Sequence, residues 1–201
     1  LADVRSGNTS SLPSSWRWDG VAGQSYVTRV FQQNEPQYCG ASWAASALGA
    51  LADRVKIARA AQHKASGQPD LELAAQSVLD CGDEVAGSCS GGYPAGVWQW
   101  ARHRGGAPEL SCMQYEADDT RKCAEVDLCR QCNRKTTSDK SSTCWGVSET
   151  GGYGPTDAGA GPGTIYSNGV PRASVASYGF VAGEASMKAE ILTRGPIVCL
   201  V

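Results

Sequence analysis

The chain has 201 residues, of which 41% are hydrophobic and 19% charged, with a net charge of -2. That composition belongs to a globular protein long enough for one large domain or two small ones. The near-neutral charge excludes the usual signature of a nucleic-acid or anionic-membrane binder, and no apolar run approaches the roughly 18 residues a membrane span needs.

Taken in order, residues 1–15 are Ser-rich, contain Leu12-Pro13 and read as an extended entry segment; with Leu1 first, they fit a mature or excised stretch. Asp19-Gly20 and Gly23 mark turns before a short apolar run, Tyr26 to Val30. Alanines and leucines from Ser42 to about Ala61 favour helix, with Leu48, Leu51, Val55 and Ile57 as an irregular apolar stripe. A second helix is predicted over Asp70–Leu79, capped by Asp70, with Leu71, Leu73, Ala74, Val78 and Leu79 inward. A third runs from Pro94 to Arg104 and stops at Gly105-Gly106, burying Val97, Trp98 and Ala101. His103 on that helix is expected to face solvent.

Beyond Cys112 the texture changes to short, cysteine-rich segments. Residues 148–174, dense in Gly and Pro, read as a flexible insertion or long loop outside the core. Val175–Val181 alternates as a strand, Ala185–Thr193 is a short helix, and Ile197–Val201 is an apolar strand. Helices first and strands later predict an α+β protein in two lobes, a helical one over 16–111 and a partial β one over 112–201.

Nine cysteines fit an oxidising compartment unless they bind metal. Cys129-x-x-Cys132 is the one zinc-like spacing, but it lacks a second close pair, and His63 and His103 are poorly placed to help. Disulfides and no metal are therefore expected, with one thiol left over by the odd count. The sequon Asn8-Thr9-Ser10 agrees with secretion and makes Asn8 a candidate glycosylation site.

At "QYCGASWA", residues 37–44, the chain resembles the papain-family cysteine peptidases, whose catalytic cysteine follows Cys-Gly-small and precedes Trp. "LPSSWRW", "NEPQYCG", "SVLDCG", "GSCSGG" and "GPIVC", in that order from residue 12 to 199, are similar to the cathepsin X (or Z) branch. The resemblance implies a two-lobe fold, a thiol peptidase site needing no cofactor, peptide or protein substrates, and a lysosomal, vacuolar or secreted setting. It puts Ser42 at the nucleophile position, followed by Trp43. Gln33 corresponds to the side-chain donor of the oxyanion hole, and Gly91 and Gly92 to bare backbone that pairs with an extended substrate. It further implies the bridges Cys39–Cys89, Cys81–Cys123, Cys112–Cys129 and Cys132–Cys144, leaving Cys199 unpaired; in that branch its partner lies near the C-terminus, so the chain is expected to be partial.

Three departures follow. Ser42 carries a hydroxyl where a thiol is expected. The family's histidine and asparagine lie about 130–150 residues after the nucleophile, whereas the last histidine here is His103. The loop that in this branch carries a carboxylate-binding histidine holds Asn34 and Glu35 instead, and Glu35 would repel a carboxylate. The expectation is an inactive homologue acting as a binding or structural component, with protein partners in an assembly. Two alternatives remain open: an active cysteine-type (carboxy)peptidase carrying a Cys-to-Ser change, and a serine homologue of altered chemistry like the silicateins.

Overall fold

A computed structural model of the chain describes residues 12–61, 70–123, 131–134, 142–145, 164–167 and 170–199. Helix α1 (Ser42–Ala61) occupies the alanine-rich run and buries Trp43, Leu48, Leu51 and Val55. Around it pack α2 (Ala75–Cys81), which buries every one of its residues, and α3 (Pro94–His103). Full burial of Val78, Leu79 and Val97 stabilises this core by about 1.5–3 kcal/mol each.

α2 starts five residues later than the sequence pattern indicates, and Asp70 is not its cap. Residues 71–74 commit their backbone to the chain at 108–110: Ala74 N–H donates to Pro108 O (2.9 Å), and Leu110 N–H donates to Glu72 O (2.7 Å). Leu71, Leu73 and Ala74 are still buried, but from an extended segment, and Asp70 pairs with Lys56 at 2.6 Å. On α3 the buried tryptophan is Trp100, not Trp98. Val97, Trp100 and Ala101 share one face at the i, i+3, i+4 spacing, while half-buried Trp98 donates its indole N–H to Ala47 O (3.2 Å). His103 is exposed.

The strands are short. β1 (Gly87–Ser88) pairs antiparallel with β2 (Gly91–Gly92). β3 (Ala107–Pro108) pairs with β7 (Val170–Ala173), which pairs in turn with β6 (Thr164–Ser167). The end of the Gly/Pro-rich stretch is thus a hairpin whose last residues, Arg172 and Ala173, are buried against β3, not the coreless loop expected; residues 148–163 lie outside the described residues. β4 (Gln131–Arg134) and β5 (Ser142–Trp145) form a separate hairpin.

Val175–Val181 is not a strand: an alternating pattern needs a sheet edge to pair with, none meets it among the described residues, and Phe180 is 94% exposed. Nor are residues 197–199 of the expected Ile197–Val201 strand, residues 200–201 lying outside the described residues; the chain just before them is held by side-chain bonds. After α4 (Glu184–Arg194), Arg54 on α1 donates to Pro196 O (2.8 Å), Gly195 O (3.3 Å) and Glu190 Oε1 (3.0 Å), and Trp18 donates to Ile191 O (2.8 Å). The planar guanidinium fork meets the end of α4 and the chain beyond it at once.

Cys39–Cys89 and Cys81–Cys123 are disulfides, and Cys199 is free and exposed. Cys112 is also disulfide-bonded. Cys132 stands opposite Cys144 in the β4–β5 register. Cys129, the side chains of Cys132 and Cys144, His63 and Asn8 lie outside the described residues. No helix among those described is long and apolar enough to cross a membrane.

Candidate functional site

The Cys39–Cys89 bridge fixes where α1 begins. Gly40 N–H donates to Cys89 O (2.8 Å), and a Cβ on Gly40 would stand 2.7 Å from that same oxygen, so only glycine allows the approach. Ala41 O then accepts from Ala44 and Ala45, closing the first turn. Ser42, the first helical residue, is exposed at the end where the helix dipole is positive and the leading N–H groups lack intrahelical acceptors. Trp43 turns inward, and its indole N–H donates to Ser88 O (3.0 Å).

Ser42 opens onto a cleft of about 570 Å³. The walls are the extended stretch 28–33, the flank of α1 at Ala45, Ser46 and Gly49, and Pro196–Cys199. Gln33 lines the same cleft, so the structure brings these two predicted positions together. Its Oε1 is buried without a hydrogen-bond partner among the described residues. An unpaired buried amide oxygen is costly, by about 1–3 kcal/mol.

Gly91 and Gly92 form β2 and do not line this cleft. Gly91 is exposed with φ +129° and nothing within 4 Å of where a Cβ would lie; Gly92 lies against the Trp43 ring. Beyond them Tyr93 and Pro94 open a second groove of about 880 Å³, shared with Trp98, Tyr178 and Val198. Cys199 lines both cavities. The short loop is organised around its own backbone: Asn34 Oδ1 accepts from Cys39 N–H (3.3 Å), and Glu35, followed by a cis bond to Pro36, is exposed. Neither residue lines either cavity.

Several residues that the sequence reading passed over support the site. Asp53, on the buried flank of α1, accepts from Thr28 N–H (2.6 Å) and Thr28 Oγ1 (2.7 Å), tying the stretch that leads to Gln33 onto the helix. Burial pushes its carboxyl above the usual carboxylate range, against the downward pull of the Thr28 bonds. Tyr115 donates its hydroxyl to Gln33 O (2.8 Å), and burial raises that phenol. A charged residue inside an apolar helix face was the one signal that could have found Asp53; nothing in the sequence marks Tyr115. Among the described residues no imidazole lines the cleft, and no cluster of three His, Cys, Asp or Glu could hold a metal.

Residues 12–201 match the model of the papain family cysteine proteases. The chain is 34% identical over 192 residues to "Cathepsin Z" of Onchocerca volvulus, a match covering 96% of this chain and 51% of that protein. The chain thus spans about half the length of this curated relative. Among solved structures, digestive procathepsin L2 proteinase from Tenebrio molitor larval midgut aligns at 26% identity and TM-score 0.46, covering 58% of this chain and 33% of that one. The bromelain protease of Ananas comosus in complex with the E64 inhibitor aligns at 26% and 0.43, covering 56% and 45%.

Proposed function

The chain belongs to the papain family of cysteine proteases, and we propose that it is a cathepsin Z-like member that holds extended peptide or protein segments without hydrolysing them. One observation carries the reading: a serine, not a cysteine, stands exposed at the start of α1 in the cleft shared with Gln33. A thiol ordinarily ionises near 8.5, and at an exposed position the positive end of a helix contributes about 0.3–1 kcal/mol, or less than about 1 pKa unit. That leaves a thiol without an imidazolium partner mostly protonated at neutral pH and is far too little for a hydroxyl, which is several units less acidic. Serine catalysis needs a base placed for oxygen, and no imidazole faces Ser42 among the described residues.

The retained features support binding. Gln33 lines the cleft, Gly91 offers exposed backbone, and apolar walls flank both cavities. The disulfides support an oxidising compartment, lysosomal or secretory.

The test pairs binding with chemistry. Fluorescence anisotropy should detect an extended peptide binding the protein with no cleavage product by mass spectrometry. Ser42→Cys should react with a peptidyl epoxide no faster than free cysteine at the same pH. Cleavage by the unaltered protein, or rapid pH-dependent labelling of the introduced thiol, would show that a working site lacks at most its nucleophile.

A further inference from the structure

Residues 113–121 contact the segments that carry Gln33, Gln37 and Cys89, and one residue of the stretch has a strained backbone. Ala117 has φ +55°, a left-handed conformation that a residue with a Cβ rarely adopts. What holds it is Gln76 on α2, a side chain with no exposed surface. Its Oε1 accepts from Glu116 N–H (3.0 Å), its Nε2 donates to Asp118 O, and the second amide hydrogen goes to Asp80 Oδ1 (2.7 Å). Both neighbours of the strained alanine are thereby fixed by one buried amide whose hydrogen-bonding groups are all engaged.

From that pinned turn three contacts reach forward. Tyr115 donates to Gln33 O (2.8 Å), with its ring edge-on to Phe31 at 4.6 Å. Ala117 O accepts from Gln37 Nε2 (3.1 Å), two residues before Cys39. Asp119 Oδ2 accepts from Cys89 N–H (2.7 Å), at the disulfide that leads to Gly91. One loop therefore contacts the segment carrying Gln33, the approach to α1 and the approach to β2.

We infer that this loop is the positioning element of the binding cleft, with Gln76 as its anchor and Tyr115 as the residue that sets Gln33. The inference rests on the role proposed above for Gln33. The Gln33 amide makes no hydrogen bond among the described residues, so its placement depends on its main chain, and Tyr115 ties that main chain to the rest of the protein at its carbonyl. Tyr115 lines neither cavity itself and acts through the two wall residues it touches, Gln33 and Phe31.

The decisive experiment measures the Gln33 side-chain amide by 15N relaxation in the ligand-free protein, alongside backbone amide exchange. Tyr115→Phe removes one hydroxyl and keeps the ring on Phe31. It should lower the Gln33 side-chain order parameter below about 0.6, the flexible range, leave exchange at Cys89 unchanged, and weaken extended-peptide binding about two- to tenfold. Asp119→Ala should do the reverse, speeding exchange at Cys89 while leaving Gln33 ordered. Gln76→Met should loosen both; if it fails to fold, the two milder variants decide alone. Unchanged Gln33 order in Tyr115→Phe overturns the inference, as does a uniform loss of order across the core, which marks a merely structural role. Because order is read without ligand, failure of the unaltered protein to bind peptide would sink the proposed function and leave this result to stand or fall separately.

Discussion

Gly92→Ala directly perturbs the packing around Trp43. A Cβ there would stand 2.4 Å from Ala86 O and 2.6 Å from two ring carbons of Trp43, where ordinary contact begins near 3.4 Å. Neither neighbour can yield freely. Ala86 O already accepts from Tyr93 N–H (2.7 Å), and Trp43 is 4% exposed with its indole bonded to Ser88 O. Relief requires about 1 Å of movement, at the upper end of the ~1–3 kcal/mol that overpacking costs, plus about 1 kcal/mol if the indole bond breaks. The expected loss is about 3 kcal/mol, a urea midpoint lower by about 1.5 M for a slope near 2 kcal/mol/M. Gly49→Ala is the internal control. Its Cβ meets nothing within 4 Å, and it lies inside α1, so alanine should gain about 0.5–1 kcal/mol. Both are read from urea unfolding by tryptophan fluorescence with disulfides intact. A Gly92→Ala loss under about 0.5 kcal/mol would refute the packing argument at Trp43.

Two further outcomes are expected. Asp53 has its carboxyl raised by burial above 3.8, so the folded state binds a proton more tightly than the unfolded chain and stability falls as pH rises from 3.8 through the raised value. Asp53→Asn keeps an oxygen for both Thr28 bonds, so it should flatten that fall in pH-dependent unfolding and match or exceed the parent at pH 7, whereas Asp53→Ala should cost about 1–3 kcal/mol. Replacing Cys39 and Cys89 together by Ala opens a loop with a sequence separation of 50, which should cost about 4 kcal/mol in chemical denaturation.

Local pattern made much of the first half legible. The alanine run from Ser42 to Ala61 is α1 to the residue, and Pro94 with Gly105-Gly106 brackets α3 to within one, because propensity and end signals act within a few residues. The ordered motifs from residue 12 to 199 were enough to indicate the family. Where those cues misled, a distant partner had outcompeted the local one. Residues 71–74 gave up helix for hydrogen bonds with 108–110, and β7 drew the end of a Gly/Pro-rich stretch into the core beside β3. Val175–Val181 kept the strand pattern but found no edge among the described residues to pair with.

The site divides the same way. Sequence determined which groups are present: a hydroxyl at 42, an amide at 33, bare backbone at 91 and 92, and Asn34 and Glu35 in the short loop. Only the tertiary structure decided which of them meet. It put Ser42 and Gln33 on one cleft, set Gly92 against the Trp43 ring with Gly91 outside that cleft, and turned Asn34 back onto Cys39 N–H. It also recruited Asp53, Gln76 and Tyr115, whose respective partners Thr28, Glu116 and Gln33 lie 25, 40 and 82 residues away along the chain. A buried polar group is satisfied by whatever the fold brings within about 3 Å, and no local pattern encodes that distance.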